Sequence, residues 1–425
     1  MSTLPPYADV VIIGGGITGC ATAYYLSRLK LSVALLERGE VANEQSSRAW
    51  GFIRKQGRHP AEIPMAAEAS RLWSTLSHEL QADLEYVRKG ILTPASSEAD
   101  EEIAQQGARL AAGHGLSTRF VSAADIRTLL PQMQGQWRGG LYTPDDGHGE
   151  PVKTTRAFAN AAVNNGARLF QNIGASRIEV SNQRVTAVDT RQGRIRTGAV
   201  LCAAGMGSGN ILKQVGLSLP IHGIRITVLE TQPATPFTEL AVWAPQVAFR
   251  PTRRGTFYVS SGYRAKTGDL DVTLDGIRHF GKFFHQLRSN PTALNIRVGM
   301  PLLRSLDTRI DDTAQAEPPA NARIAAYNLR QFLAAFPHLG PLQPMRTWAG
   351  QIDATPDMIP VIDTVPGIPN FHVATGFSGH GFALGPVSGK LLSEQIATGA
   401  ASLDLHAFRI SRFAEGDMQL SPYAL

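Results

Sequence analysis

The sequence contains little cysteine and no long apolar run, and each absence excludes a class of protein. Cys20 and Cys202 are the only cysteines among 425 residues, too few for a disulfide framework, a cysteine-rich zinc site or an iron–sulfur cluster. No stretch approaches the roughly 20 apolar residues that cross a bilayer. We therefore expect no membrane span and no metal site, and we expect two buried thiols in a reducing compartment.

Clusters of one charge are also absent, although the chain is basic overall. The formal net charge is +6 at pH 7, yet lysine and arginine nowhere form a block of five or six residues. Such blocks are typical of tails that bind nucleic acid, so we expect no nucleic-acid partner. Met1 to Tyr7 carry no basic segment of the kind that opens a secretory signal, which makes the cytoplasm the expected location.

What the sequence does contain is typical of a globular protein with two domains. Hydrophobic residues make up 43% of the chain, and the 41 glycines are spread along it rather than clustered. From Ile221 to about Ser261, Thr, Val, Phe and Tyr alternate with other residues, which predicts an antiparallel sheet. A helix is expected near Gly276–Leu287, and the last third of the chain returns to α/β character.

A glycine-rich turn lies between the first predicted strand and the first predicted helix. The strand is Val10–Ile13, and Gly14, Gly16 and Gly19 follow at the spacing of a dinucleotide-binding fingerprint. The first glycine permits a tight turn, the second lets the backbone approach a pyrophosphate, and the third lets helix and strand pack closely. The N–H groups of the helix N-terminus then face the phosphates. We interpret this segment as a dinucleotide site rather than as a flexible turn.

An acidic residue completes this pattern at the end of the second predicted strand. Glu37 lies 18 residues after Gly19. A carboxylate at that position accepts hydrogen bonds from a ribose and repels a 2′-phosphate, so NADP is disfavoured. The fingerprint does not distinguish FAD from NAD.

A second glycine-rich turn, Gly376–Phe382, lies between a strand and a helix near the carboxyl end. A reduced flavin carries negative charge near N1 and the C2 carbonyl, and the positive end of a helix dipole suits that position. A chain with one such turn at each end is organised to hold an extended FAD. His380 in this turn has two interpretations, as a catalytic base or as a residue that only hydrogen-bonds backbone or cofactor.

Together with Ser46-Ser47-Arg48 and Thr355–Pro360, these segments resemble the FAD-dependent D-amino-acid oxidase and sarcosine oxidase superfamily, most of all its sarcosine oxidase beta-subunit type. The resemblance covers nearly the whole chain. It implies an α/β plus α+β fold, in which a discontinuous Rossmann-like domain binds FAD and a second domain lays an antiparallel sheet over the flavin. We assign residues 1–90, 150–220 and 340–425 to the FAD-binding domain and residues 91–149 and 221–339 to the substrate-binding domain.

The same resemblance implies a reaction. Members of the superfamily oxidise a carbon–nitrogen bond by passing a hydride from the carbon to flavin N5, and the imine then hydrolyses. The expected substrate is a small amine or amino acid, with secondary amines of the proline, opine or N-methyl type as candidates. Hydride transfer requires a neutral amine and correct positioning rather than an obligatory acid–base pair, which fits a sequence without an evident catalytic dyad.

Carried over position by position, the resemblance also predicts the cofactor contacts. The glycines of the first turn hold the pyrophosphate, Glu37 holds the adenosine ribose, and the turn from Gly379 borders the isoalloxazine. The full predicted set, with Val180 and Gly205 on the adenosine side, is Gly14, Gly16, Ile17, Thr18, Gly19, Glu37, Arg38, Ser46, Ser47, Arg48, Gly51, Val180, Ala204, Gly205, Gly350, Asp357, Gly379, His380, Gly381 and Phe382.

Arg54 is the predicted substrate ligand. It matches a position that helps to bind the substrate carboxylate in monomeric sarcosine oxidase. A guanidinium engages a carboxylate through two parallel hydrogen bonds, so the residue type is apt. The alternative is an arginine in a surface loop. Arg54 and His380 are the two candidate catalytic residues.

Departures from the superfamily pattern modify these expectations. Gly350 stands where covalent members carry a flavin-linked cysteine, so FAD is expected to be noncovalent. Ala383 stands in place of a carboxylate-binding lysine, and Ser260 in place of a lysine linked to oxygen activation. Both changes argue against sarcosine itself and against efficient oxidase activity. Pro151 falls near the histidine that attaches a second flavin in heterotetrameric members, so no covalent FMN is expected, although His148 is close by.

Three functions remain open from the sequence. The first is an FAD-dependent oxidase or dehydrogenase of a small amine or amino acid. The second is the same chemistry in a catalytic subunit that passes electrons to a partner subunit or to another electron acceptor. The third is a flavoprotein of another class, such as an enzyme acting on a 2-hydroxy acid or on tRNA, or a scaffold without turnover. A substrate screen separates the first from the third, and the native mass separates the first from the second.

Overall fold

The computed structural model describes residues 3–418 except 267, 274–276, 278, 280, 282–293, 299–301 and 303–309. The helix predicted near Gly276–Leu287 lies largely outside the described residues. Within the described ranges the helices are α1 (Ile17–Arg28), α2 (Gln45–Arg48), α3 (Ile63–Glu79), α4 (Glu98–Gly113), α5 (Ala123–Leu129), α6 (Pro151–Asn164), α7 (Ser208–Lys213), α8 (Ala322–Ala335), α9 (Gly381–Thr398) and α10 (Arg412–Glu415). None of these described helices combines the length and the apolar character that a membrane crossing requires.

The strands form two large sheets and one small one. In chain order the described strands are β1 (Tyr7–Ile13), β2 (Val33–Glu37), β3 (Phe52–Ile53), β4 (Ile91–Ala95), β5 (Arg119–Ser122), β6 (Gly139–Thr143), β7 (Gly147–His148), β8 (Arg168–Gln171), β9 (Ala175–Ser181), β10 (Arg184–Thr190), β11 (Gly193–Cys202), β12 (His222–Thr231), β13 (Ala241–Trp243), β14 (Val247–Pro251), β15 (Phe257–Ser261), β16 (Gly268–Asp271), β17 (Leu294–Arg297), β18 (Pro344–Ala354), β19 (Val361–Thr364) and β20 (Phe371–Thr375). The small sheet pairs β3 with β7.

The first large sheet is built around parallel strands in the order β20-β11-β1-β2-β8. Strand β19 runs antiparallel at one edge, and β9 and β10 extend from β11. Side chains alternate across β1: Val10 and Ile12 belong to the core that also contains residues of α1, α3, α6 and α9, while Val11 and Ile13 belong to the core on the opposite face. Burial on both faces explains the continuous apolar run, because such strands have no solvent side. The predicted Rossmann-like α/β fold is confirmed.

Helix α1 lies directly against helix α9, because small residues occupy the crossing. A Cβ at Gly385 would lie 2.6 Å from the Ile17 side chain, and one at Gly389 would lie 2.6 Å from another side chain of α1. The indole N–H of Trp73, in α3, donates a buried hydrogen bond to the Ala383 carbonyl oxygen (2.9 Å). Both helices follow parallel strands, β1 and β20, so they begin at the same edge of the sheet.

The second large sheet is mainly antiparallel. Its described strands lie in the order β17-β16-β12-β15-β14-β13-β4-β6-β5, and β18 also pairs with β12. Helix α8 covers this sheet, and the core between them is aromatic: Phe249 contacts Phe332 and Phe336, and Phe257 contacts Phe332. The antiparallel sheet predicted from the residues after Ile221 is confirmed.

One strand of this sheet comes from a segment that we assigned to the other domain. Strand β18 falls within residues 340–425, yet it pairs with β12 from Ala354 opposite His222 to Pro344 opposite Thr231. Strand β18 therefore belongs to the antiparallel sheet, although its residues were assigned to the FAD-binding domain. The proposed division into domains stays a prediction.

Both cysteines are free and buried, as expected from their apolar surroundings. Burial raises the pKa of the Cys202 thiol to about 11, and it also raises the pKa of Cys20. Each thiol is therefore protonated at neutral pH and unreactive, because the thiolate is the nucleophilic form.

We predict that the buried ion pair of Arg412 with Asp357 stabilises the carboxyl-terminal part of the chain. Arg412 is 1% exposed and donates to the two Asp357 carboxylate oxygens at 2.8 and 3.2 Å. The substitution Arg412→Ala leaves that carboxylate buried without its cation, which should lower the free energy of unfolding by about 3–5 kcal/mol. Urea unfolding measures this loss. The control Arg71→Ala removes an exposed pair with Glu68 and should change little; equal small losses in both variants would contradict the prediction.

Candidate active site

Two adjoining cavities form one groove, and the first of them lies between the large sheets. Their linings share Gly16, Gln45, Ser46, Ala203 and Gly205. The first cavity is lined by the start of α1, the loop 48–62, strands β12 and β18, and the turn before α9. The second cavity is lined by the turn after β1, the end of β2, the start of β9 and residues 310 and 311. The groove therefore runs past the N-termini of both α1 and α9.

The turn between β1 and α1 is built for close backbone approach. Gly14 has a φ of +113°, and a Cβ there would overlap the carbonyl oxygen of Ala203. A Cβ at Gly19 would overlap the Gly14 carbonyl oxygen, so Gly19 lets helix and strand pack together. Helix α1 has no acidic residue in its first turn and no side-chain cap from Gly16. The positive end of its dipole therefore faces the groove.

Glu37 lies at the end of β2 and lines the second cavity. Its carboxylate oxygens accept backbone hydrogen bonds from Gly15 (2.6 Å) and Gly39 (2.7 Å), which fix the side chain beside the glycine turn. Burial raises its pKa in spite of these bonds. The neighbouring Arg38 is paired with Glu44 at 2.7 Å. The arrangement presents carboxylate lone pairs to the cavity, which suits ribose hydroxyls better than a 2′-phosphate.

The turn before α9 is held in place by the end of β18. The Gly376 N–H donates to the Asp353 carboxylate (2.7 Å), and the Thr355 N–H donates to Ser378 Oγ (3.1 Å). Ser378 and Gly379 have φ angles of 51° and 86°, so the chain turns sharply here. Helix α9 then begins without a side-chain cap or an acidic residue in its first turn. A second positive helix end therefore borders the first cavity.

Two arginines line the first cavity, of which Arg58 is buried and Arg54 is partly buried. Arg54 donates to the Gln56 carbonyl oxygen (2.8 Å), and its guanidinium lies 4.5 Å from the centre of the Trp243 ring. Arg58 is 3% exposed and donates to the Arg54 carbonyl oxygen (3.2 Å). Burial lowers the pKa of both arginines, that of Arg54 to about 9, so Arg54 is charged at neutral pH. Among the described residues neither forms an ion pair, which leaves positive charge beside apolar walls.

The loop that carries Arg54 is fixed from behind by Asp146. This carboxylate accepts the Lys55 N–H (2.9 Å) and the Gln56 N–H (3.5 Å). The Lys55 ammonium bonds to Asp145 at 2.5 Å. Burial raises the pKa of Asp146 to about 7. The position of Arg54 therefore depends on charged residues outside the cavity.

A buried carboxylate and a histidine meet at the first cavity. Glu62 is fully buried, and its Oε1 lies 3.0 Å from His380 Nδ1. Burial opposes the charge on Glu62, but His380 and Arg58 outweigh it and lower the pKa of Glu62 to about 2. Burial lowers the pKa of His380 to about 4. This pair was not evident from the sequence, because the two residues lie 318 positions apart and no local pattern joins them.

Most residues predicted to contact cofactor or substrate do line the groove. They are Gly14, Gly16, Ile17, Thr18, Glu37, Arg38, Ser46, Arg48, Gly51, Arg54, Ala204, Gly205, Gly350, Asp357, Gly379, His380, Gly381 and Phe382. Asp357 lines the first cavity, although its carboxylate accepts a hydrogen bond from Arg412. Gly350 leaves room for Arg48, because a Cβ there would overlap the Arg48 side chain.

Three predicted residues lie outside the lining. Gly19 packs against the turn, and Ser47 donates to the Glu44 carbonyl oxygen (2.9 Å) within α2. Val180 pairs with Val185 at the far end of β9 and is 38% exposed, so its placement beside the adenosine site is corrected. Ala175, at the start of the same strand, lines the second cavity instead. The predicted residue, Val180, therefore lies a few positions further along β9 than the residue that lines the cavity.

Several lining residues were not predicted from the sequence. They are Gln45, Trp50, Phe52, Arg58, Glu62, Ile226, Val228, Trp243 and Met358 among others. Charged residues occur at every fourth position from Arg54 through Arg58 to Glu62. This regular spacing is the one signal in the sequence that could have drawn attention to Arg58 and Glu62. Trp243 reaches the site from a distant strand, and nothing near it in the sequence marks it.

Comparison with known proteins identifies the family. A family model described as FAD dependent oxidoreductase (DAO) matches residues 9–395. The chain belongs to this family. As an FAD-dependent oxidoreductase it is an enzyme that uses FAD, and the resemblance to the amino-acid and sarcosine oxidase group is confirmed.

The relatives of this FAD-dependent oxidoreductase cover nearly its whole length. Sarcosine oxidase subunit beta of Rhizobium meliloti (strain 1021) is 25% identical over 97% of this chain and 89% of that protein. Glycine oxidase of Geobacillus kaustophilus is 24% identical over 95% of this chain and 97% of that protein. The structure of L-amino acid deaminase from Proteus myxofaciens in complex with anthranilate superposes with a TM-score of 0.90 at 25% identity, covering 97% of this chain and 95% of that one.

The groove of this oxidoreductase fits an extended FAD. A dinucleotide needs a site for its diphosphate and a site for the electron-rich edge of the flavin. The N-termini of α1 and α9 provide two such positions on one groove, and glycine occupies the positions where a Cβ would obstruct the backbone. The second cavity, with Glu37, provides the polar end that a ribose requires.

We predict that Gly14→Ala abolishes stable FAD binding. The added Cβ would overlap the Ala203 carbonyl oxygen at a φ that disfavours alanine, so the turn must move away from the groove. The visible absorbance of flavin that stays with the protein after desalting measures the effect. Gly209→Ala is the control, since a Cβ there has no atom within 4 Å. Full FAD content in a folded Gly14→Ala protein would contradict the assigned role of this turn.

Proposed function

We propose that this enzyme oxidises the carbon–nitrogen bond of a small amine or amino acid that carries a carboxylate. Arg54 is the observation that supports this function: it is a charged guanidinium in a largely apolar cavity, without an ion pair among the described residues, next to the turn before α9. When bound, FAD supplies the hydride acceptor. The oxidised product is an imine, which water hydrolyses. Relatives named sarcosine oxidase, glycine oxidase and L-amino acid deaminase support the same reaction class.

Arg54 is oriented for a carboxylate ligand. Its Nη1 donates to the carbonyl oxygens of Gln56 (2.8 Å) and Gly57 (3.2 Å), which hold one side of the guanidinium. Trp243 covers one face of the ion, so water has little access from that direction. A substrate carboxylate then approaches in the guanidinium plane, where charge-assisted hydrogen bonds are strongest.

The cofactor ligands follow from the same geometry. We assign the diphosphate to the N-terminus of α1, with Gly16 and Ser46 beside it, and the adenosine ribose to Glu37. The flavin lies against the turn Gly379–Phe382. The binding is noncovalent, because Gly350 replaces the cysteine of covalent members and no cysteine occurs among the described lining residues.

A dehydrogenase is favoured over an oxidase. The superfamily pattern has a lysine linked to oxygen activation at the position of Ser260, and no lysine occurs among the described residues that line the first cavity. Ser260, at the corresponding position, donates to the Thr227 carbonyl oxygen (3.0 Å) and does not line the cavity.

The similarity to a sarcosine oxidase beta subunit favours a second candidate function, that of a catalytic subunit that passes electrons to a partner subunit. The native mass of the purified chain, with any proteins that copurify, distinguishes this candidate from an enzyme that acts alone.

We predict that an amino acid or amine bleaches the flavin absorbance of the purified holoenzyme without air. The panel should include primary and secondary amino acids, simple amines without a carboxylate, and 2-hydroxy acids as controls. Amines that carry a carboxylate should react best, and colour should return slowly when air is admitted. Bleaching by hydroxy acids alone would overturn the proposed reaction. Fast recolouring would overturn the assignment as a dehydrogenase.

We also predict that Arg54→Gln raises KM for the amino-acid substrate while FAD stays bound. Loss of hydrogen bonds between charged groups costs about 1.5–3 kcal/mol, which corresponds to a rise of roughly 10- to 100-fold. Arg253→Gln is the matched control, because Arg253 forms an exposed pair with Asp83. A simple amine without a carboxylate should be oxidised equally well by wild type and by Arg54→Gln. An unchanged KM would show that Arg54 does not bind the substrate.

A further inference from the structure

We propose that His380 accepts the proton of the substrate ammonium group and that Glu62 is the positioning residue that directs the correct ring nitrogen into the cavity. This inference rests on the proposed function, since it concerns an amine substrate. An alkylammonium ion has no lone pair with which to form the C=N bond, so it must lose a proton before it can lose a hydride. A residue that removes this proton lets the enzyme work below the pKa of its substrate.

The geometry determines which nitrogen of His380 is protonated. Glu62 Oε1 lies 3.0 Å from Nδ1, and an ionised carboxylate only accepts hydrogen bonds. The proton of a neutral His380 must therefore sit on Nδ1. Nε2 then carries a lone pair, and it has no hydrogen-bond partner among the described residues. The ring lines the first cavity together with Arg54, so a substrate held by its carboxylate lies within the same enclosure.

Glu62 and His380 are both held rigidly. The His59 N–H donates to Glu62 Oε2 (3.4 Å), and His59 Nδ1 accepts the Ala61 N–H (3.1 Å), which forms a capping box before α3. The His380 N–H donates to the Phe377 carbonyl oxygen (2.7 Å) at the start of α9. The hydrogen bond between the two side chains therefore joins the starts of two helices.

Three charged groups face His380, and they shift its pKa in opposite directions. They are Glu62 from the segment before α3, and Arg58 and Arg54 from the loop after β3. Burial has the largest effect and lowers the pKa of His380 to about 4, and the two arginines act in the same direction. Glu62 acts in the opposite direction and is ionised at neutral pH. It therefore stabilises the imidazolium once that forms.

The proton transfer involves one bond broken and one formed. The ammonium N–H bond breaks, and its electron pair stays on the substrate nitrogen as the lone pair of a neutral amine. The Nε2–H bond of His380 forms at the same time, and the resulting imidazolium is paired with the Glu62 carboxylate. The proton passes to water when the product leaves. No oxidant is consumed in this step.

The test compares Glu62→Gln with wild type over a range of pH. The substitution keeps the shape of the side chain but removes the charge that orients and stabilises His380. We expect kcat/KM at pH 7 to fall on the order of 100-fold, the lower end of a general-base contribution. The loss should disappear near about pH 10, the range in which an alkylamine is already neutral in solution. His380→Gln should give the same pH-dependent loss.

Glu68→Gln is the matched control, because Glu68 lies on α3 and contacts Arg71 and Lys390 outside the cavity. It should leave the pH profile unchanged. If Glu62→Gln lowers kcat/KM by the same factor at every pH, Glu62 has only a structural role and the inference is overturned. If no amine reduces the wild-type flavin at any pH, the proposed function itself fails, and the proton-transfer role fails with it.

A second measurement needs no turnover and remains decisive if Glu62→Gln is unstable. The ring ¹⁵N resonances of His380 in labelled wild-type holoenzyme, assigned by their absence from His380→Gln, report which nitrogen carries the proton. We expect a neutral ring protonated on Nδ1 at pH 7. A ring protonated on Nε2, or a charged ring at that pH, would overturn the inference whatever the activity.

Discussion

The close packing of α1 against α9 is the contact on which the site depends. Each helix follows a strand of the same parallel sheet, and glycines at positions 385 and 389 let the two helices meet without intervening side chains. This contact brings two positive helix ends to one groove, although their residues lie more than 350 positions apart in the chain. Larger residues at the crossing would separate the two ends and destroy the fit to a single extended ligand.

The fold could be predicted in large part because its strongest signals are local. The apolar run Val10–Ile13, the three glycines and Glu37 define the first βαβ unit through neighbouring residues alone. The alternating residues after Ile221 likewise define an antiparallel sheet. The pairing of β18 with β12 was not predicted, because strand pairing depends on partners more than 100 residues away.

The same difference between local patterns and long-range contacts separates the predicted and the unpredicted parts of the site. The cofactor residues lie in glycine-rich turns, where backbone requirements leave a visible pattern. Glu62 and Trp243 meet His380 and Arg54 only through tertiary structure, and a lone acid or tryptophan in a sequence has many ordinary roles. Val180 illustrates the opposite error, in which the strand was identified but the position along it was not.

The order of the strands has a consequence for synthesis. Strand β1 needs β11 on one side, and β11 in turn needs β20, which leaves the ribosome more than 350 residues after β1. Until then the nascent chain exposes an unpaired, apolar strand edge and the uncovered face of α1, both of which invite aggregation. An amino-terminal fragment therefore cannot serve as an independent flavin-binding module. The enzyme must complete its cofactor site and its overall fold in the same late step, when α9 closes over the first helix.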